Sequence, residues 1–259
     1  MITTHTVPPI QTARAVPITP AQHTLVQSIV LHLLPGILIA VVFFSSAPLA
    51  RQWQLPPFMA QCFADLVVLV PSVLGFLYYQ GYRTNGRLSL NGVVLYRDRL
   101  PWWQFMGFVP LILVAAGGLT VLLAPLGTRI FTRFFAWLPA TFLTTTDLHA
   151  YSRSTLISSY LVFFLMIVLI APILEELYFR GYLLPRMARF GSWALVIHSA
   201  LFALYHVWSP WLAIGRALSV LPLVVVVHWK RNLYLGMAAH ILANSVDALV
   251  GAAFIIQQF

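Results

Sequence analysis

Between Arg153 and Glu175 the chain runs for 21 residues, STLISSYLVFFLMIVLIAPIL, without an acidic or basic side chain, and similar apolar runs recur along its length. About twenty such residues are what a helix needs to cross a bilayer core about 30 Å thick. Only 8% of the residues are charged and 60% are hydrophobic, against roughly 25% charged in an average soluble protein. Fifteen basic and six acidic side chains are too few to clothe a water-facing surface. A soluble domain is therefore excluded, and 259 residues leave room for roughly six to eight spans and no separate soluble catalytic domain.

Apolar runs bounded by arginine, tryptophan or Pro/Gly clusters predict an all-α polytopic transmembrane bundle of about seven spans. They fall near 25–50, 57–80, 104–126, 155–187, 192–208, 214–228 and 233–256. Trp53, Trp102, Trp103, Trp137, Trp193, Trp208, Trp211 and Trp229 all fall near proposed ends, where the amphipathic indole prefers the interface. The Pro-, Thr- and Gln-containing residues 1–24 read as a disordered tail, followed by N-terminal transmembrane helices over 25–154 and a catalytic transmembrane core over 155–256. The apolar run after the tail is too long for a signal-peptide core.

The formal charge of +9 comes from arginines scattered singly or in small groups, which read as span-end anchors facing anionic lipid rather than a nucleic-acid patch. Ten basic residues, including Arg83, Arg97, Arg186 and Arg231, fall on the amino-terminal side and five, including Arg51, Arg129 and Arg216, on the other. This bias favours a cytoplasmic N-terminus in a multi-pass integral membrane protein, in the plasma membrane for a bacterial source. Cys62 is the only cysteine, so neither an internal disulfide nor a cysteine metal site forms.

The chain's only glutamates, Glu175 and Glu176, are adjacent and follow the apolar run that ends at Leu174. Arg180 follows Glu176 by one helical turn and supplies a cation for the pair. Two placements fit: an interfacial ion pair where the span ends at Leu174, or an intramembrane site. LYFRGYLL resumes the apolar pattern, and the basic boundary comes only at Arg186 and Arg189. Ionisable groups at membrane depth usually face a wet cavity or the bundle interior and mark function.

Counting about 1.5 Å per helical residue inward from that boundary puts Glu175 about 16 Å deep. The same ruler puts His206 about 21 Å deep, His240 about 14 Å and Asn244 about 20 Å. Three segments thus carry polar groups to one band. The run ending at Arg186 is too long for one straight crossing, and Ala171-Pro172 offers a kink. His240 and Asn244 share a helix face, continued by Asp247.

At these residues the sequence resembles the CAAX prenyl protease and bacteriocin-processing (CPBP, or Abi) family of intramembrane endopeptidases. EELYFR (175–180) fits EExxxR, FALYH (202–206) fits FxxxH, and HILAN (240–244) fits HxxxN, in order on the fourth, fifth and seventh apolar segments. The resemblance implies a conical intramembrane cavity holding Glu175, Glu176, Arg180, His206, His240 and Asn244. It implies that Glu175 activates a water with help from His206, that His240 and Asn244 stabilise the oxyanion, and that Glu176 and Arg180 form a supporting pair. Hydrolysis without a covalent intermediate needs such a base and such donors.

The expected partners are a membrane-presented peptide or protein substrate and the lipid bilayer, without nucleic acid. The reaction is either CAAX-type carboxy-terminal processing or peptide maturation, leader processing or immunity. The preferred mechanism requires no cofactor. A zinc or other divalent ion on Glu175, His206 and His240 is the alternative, although the HExxH spacing is absent. Two other functions compete: a non-proteolytic membrane scaffold or regulator, and a proton or ion carrier, for which no internal repeat is found. Asp65 reads equally as a structural partner or a cavity group, His32 and His198 as isolated core histidines, and Phe202 as pocket wall.

Overall fold

The computed structural model describes residues 20–139, 142 and 148–258. Six helices among them are long and apolar enough to cross a membrane: α1 Leu25–Gln52, α2 Phe58–Asn85, α3 Trp102–Phe135, α4 Arg153–Phe190, α6 Pro210–Lys230 and α7 Leu233–Gln257. The shorter α5, Trp193–Tyr205, completes the bundle. No strand is present among the described residues, where an isolated bridge joins Arg97 and Asn232. The chain is an all-α polytopic helix bundle.

Each expected span corresponds to a helix, but the fifth is corrected. Its 13 residues reach about 20 Å, short of a bilayer core of about 30 Å. The chain leaves the helix at His206 and turns through 206–209 before α6. Open backbone at membrane depth is tolerated only where protein or a wet cavity satisfies it. Here His206, Trp208, Trp211 and Leu212 all line a cavity.

Local signals account for several boundaries. Thr24 caps α1 in a reciprocal box with Gln27, whose backbone N–H donates to Thr24 Oγ1 at 3.2 Å while Thr24 N–H donates to Gln27 Oε1 at 2.9 Å. The tail's residues 1–19 lie outside the described residues, whereas His23 N–H donates to the Arg186 carbonyl at 2.8 Å. At α2 the left-handed Gly86 closes the helix, its N–H donating to Tyr82 O at 2.8 Å.

One end of the bundle is tied together by polar links. Leu95 N–H donates to Gly181 O at 2.8 Å, Leu233 N–H to Tyr96 O at 2.7 Å, and Arg186 Nη1 to Val93 O at 3.1 Å. Asn232 Nδ2 adds a 2.6 Å bond to Asp98 O. The basic residues around the α2–α3 loop, the end of α4 and the α6–α7 turn therefore share one end, as the charge count supposed.

Within lipid, helices associate through close packing rather than apolar burial from water. A Cβ on Gly36 would collide with the Tyr205 backbone, so α1 and α5 cross there almost in backbone contact. Outward faces remain apolar: Val114 on α3 is 74% exposed and Val121 76%. Trp53, Trp102, Trp103, Trp137, Trp193 and Trp229 are exposed at or near helix ends. Trp208 and Trp211 depart from the interfacial expectation and turn into the cavity.

Candidate active site

Helix α4 is not uniformly wound. It is α-helical over Arg153–Phe163, opens into wide π-type turns over Phe164–Ile170, returns to α over Ala171–Glu175, and widens again over Glu176–Leu183. The first wide turn ends with Ala171 N–H donating five residues back to Met166 O. Pro172 follows, without an N–H to give. The Ile167 carbonyl is thereby deprived of both backbone donors that could reach it, and the Asn244 Nδ2 on α7 donates to it at 2.9 Å. This bond fixes α7 against α4 one helical turn from His240.

The second wide stretch carries the paired acids. Glu176 and Arg180 form a 3.1 Å ion pair with both side chains 0% exposed, and the Arg180 guanidinium lies 4.0 Å from the Phe202 ring centre. Glu176 Oε1 also accepts from His240 Nδ1 at 3.1 Å. Gly236 makes room for this carboxylate, because a Cβ there would overlap Glu176 Oε2. Removing one member of a buried pair of this kind costs about 3–5 kcal/mol, since the other is left uncompensated.

Glu175 points the other way, into a cavity of about 760 Å³ walled by all six spans except α1 and by the α5–α6 turn. Its Oε2 is 3.9 Å from His240 Nε2. With Nδ1 donating to Glu176, Nε2 accepts a proton in the neutral ring and donates only when the ring carries two. His206 sits where α5 ends. Its Nδ1 donates at 2.9 Å to the Phe202 carbonyl, one of the last-turn carbonyls that a helix end leaves unsatisfied. The Nε2 of the neutral ring is thus an acceptor available to water.

Glu175, His206, His240 and Asn244 all line this one cavity, with Glu176 and Arg180 closing its wall from behind. No hydrogen bond or ion pair joins Glu175 directly to His206 among the described residues. The histidine nearest to Glu175 by ion-pair distance is His240. As for the zinc alternative, no three His, Cys, Asp or Glu side chains converge as metal ligands among the described residues. His240 Nδ1 donates to Glu176, which leaves Nε2 turned toward Glu175.

Three further residues belong to the site. Asp65, 4% exposed, lines the cavity from a wide turn in α2 and accepts from Gln61 Nε2 at 3.0 Å. The buried Tyr205 hydroxyl faces the Glu175 carboxylate without closing a hydrogen bond. Arg216, expected as an interfacial anchor, instead lines the cavity and donates from Nη2 to Ser209 Oγ at 3.1 Å. A lone acid inside an apolar span was the available signal for Asp65, while Arg216, close to a span end, had none. Tyr205 had none beyond its place beside His206.

His32 and His198 lie outside the cavity and bond to each other. His32 Nδ1 donates to Ser28 O at 2.7 Å and its Nε2 meets His198 Nδ1 at 3.1 Å. Asp147 and the Asp247 side chain fall outside the described residues.

No curated protein and no solved structure matches the chain. A family model does: that of the Rce1-like proteins, described as type II CAAX prenyl endopeptidase Rce1-like, over residues 157–246, about a third of the chain. That segment holds all three motifs and most of the cavity's polar groups, and the match agrees with the resemblance that the motifs carry.

Proposed function

We propose that the chain hydrolyses a peptide bond inside the membrane, using water activated by Glu175. The supporting observation is that Glu175, on α4, and His206, at the broken end of α5, face one membrane-embedded cavity while the Glu176–Arg180 pair fills the wall behind. A water held between the Glu175 carboxylate and His206 Nε2 attacks the scissile carbonyl carbon. Glu175 accepts its proton and passes it to the departing amine nitrogen as the C–N bond breaks.

The oxyanion meets donors from α7. Asn244 spends one amide N–H on Ile167 and keeps the other. His240 is the second candidate partner, its Nε2 turned toward Glu175. A donor of this type is worth about 2.7–4 kcal/mol in the transition state. No step is routed through a metal.

The Rce1-like match supports CAAX-type processing as the reaction class. The substrate is then a peptide or protein tail presented from the bilayer, and the basic end of the bundle faces the cytoplasm, with the N-terminus. Membranes expressing wild type or Glu175→Gln at equal abundance are compared by peptidomics. A precursor accumulates in the variant, and purified Glu175→Gln turns over a cleavable peptide about 10²–10⁴-fold more slowly. Identical peptide profiles would favour the non-proteolytic scaffold instead.

A further inference from the structure

Arg216 is the one Lys or Arg that lines the cavity among the described residues. No acidic oxygen among them lies within 4.0 Å of its guanidinium. Its Nη1 is buried without a hydrogen-bond partner, while Nη2 is held by Ser209 Oγ at 3.1 Å. A buried donor left unpaired is costly and rare, above all on a charged group.

Ser209 is 6% exposed and accepts from Arg216. The guanidinium fork suits a planar carboxylate, and Ser209 Oγ fixes its orientation from behind. The fork is rigidly indexed to the water-activating group, since Ser209 N–H donates to His206 O at 3.0 Å and Leu212 N–H to Ser209 O at 3.1 Å. The cavity's own acids, Glu175 and Asp65, repel a second carboxylate everywhere except beside this cation.

We propose that Arg216, held in place by Ser209, binds the free α-carboxylate of the substrate, so that the bond cut is counted from the chain's end. The proposal rests on the reading of the cavity as a peptidase site. Arg216 and Glu175 line the same cavity from different helices. A short carboxy-terminal peptide fits between cation and glutamate, and an internal loop of a long chain lacks the group that Arg216 recognises.

The test uses the purified full chain in phosphatidylcholine nanodiscs and a farnesylated CAAX peptide made as the free acid and as the carboxamide. Wild type shows a kcat/KM ratio of acid to carboxamide of about ten- to a hundred-fold, the worth of one or two charge-assisted hydrogen bonds, expressed mainly in KM. Arg216→Gln brings that ratio close to one, Ser209→Ala lowers it in part, and Arg216→Lys, which keeps charge but loses the fork, restores part of it. The ratio is independent of how much active protein a variant yields.

An unchanged ratio in Arg216→Gln, with both peptides slowed equally, makes Arg216 a structural tie for the α5–α6 turn and overturns the proposal. Equal turnover of acid and carboxamide by wild type overturns it as well. If wild type cleaves neither peptide, the peptidase reading fails separately. The anchor is then judged by binding of a ketomethylene acid and carboxamide pair: tighter binding of the acid that Arg216→Gln removes upholds it, and equal binding overturns it.

Discussion

Around Glu176 three constraints meet in one carboxylate: the Arg180 guanidinium, the His240 Nδ1–H and the bare backbone of Gly236. None is free to yield, because the arginine is fully buried and the imidazole must also keep Nε2 toward Glu175. Gly236→Ala should therefore push the carboxylate off its partners, lower the detergent melting temperature and cut peptide turnover roughly 5- to 150-fold, as a loss of about 1–3 kcal/mol from overpacking implies. Gly75→Ala is the control. A Cβ at Gly75 meets nothing within 4 Å, so the helix should gain about 0.5–1 kcal/mol from alanine's better propensity. Equal behaviour of the two variants would show that the carboxylate has slack. The six motif residues were legible because ionisable and amide groups are conspicuous in apolar helices. Arg216 was not, since an arginine shortly after Trp211 has the same linear pattern whether the turn before it reaches the interface or folds back beneath the lipid surface. Asp65 was equally ambiguous, its distance to Glu175 being set by the packing of α2 on α4.

The helices that build the site share a device. Wide turns end at Val70, Ala171 and Leu184, whose N–H groups donate five residues back to Asp65, Met166 and Phe179 carbonyls, and each of these residues immediately precedes a proline, Pro71, Pro172 or Pro185. A proline ring crowds the carbonyl of the preceding turn and offers no N–H, so the helix relieves the clash by taking in an extra residue. Such turns recur at functional sites. In α4 the turn exposes the Ile167 carbonyl that Asn244 binds and sets the direction of Glu175 beyond it. Pro172→Ala restores a donor and lets α4 rewind. We expect it to raise thermal stability, by up to about 3 kcal/mol from the proline penalty, while lowering peptide turnover at least about tenfold as Asn244 loses its acceptor and Glu175 rotates. A variant that keeps full activity would show that the wide turn is incidental. The kink itself was legible at Ala171-Pro172. Its consequence was not, because an orphaned carbonyl becomes visible only once the helix that satisfies it is in place. The same limit applies to α5, whose apolar run continues past His206 while the helix does not.

In the whole bundle, α3 stands apart. It packs against α6 and α7, while the facing side of the cavity is built by Phe58, Gln61 and Asp65 of α2 and by Tyr160, Phe163 and Ile167 of α4. Most of α3 faces outward, and its inner face contributes small or short side chains, Ala116, Thr120 and Ala124, to the cavity. Thr120 also donates to Ser219 Oγ on α6 at 3.0 Å, whereas the short side chains of Ala116 and Ala124 leave space for a ligand. Ala116→Trp should fill it without touching Glu175, His206 or His240. A clash of about 1–3 kcal/mol with a bound chain translates into roughly 5- to 150-fold weaker productive binding. The loss should appear in kcat/KM for a lipid-bearing peptide, with the melting temperature unchanged. Val114→Trp, two residues away on the lipid face and 74% exposed in the native chain, adds the same indole to the same helix and should leave turnover within about twofold, as surface substitutions usually do. Equal loss from both variants would mean that α3 acts through its fit in the bilayer. Loss from Ala116→Trp alone would locate the substrate between α3 and the α2–α4 wall, where a membrane-borne chain reaches Glu175 without leaving the lipid.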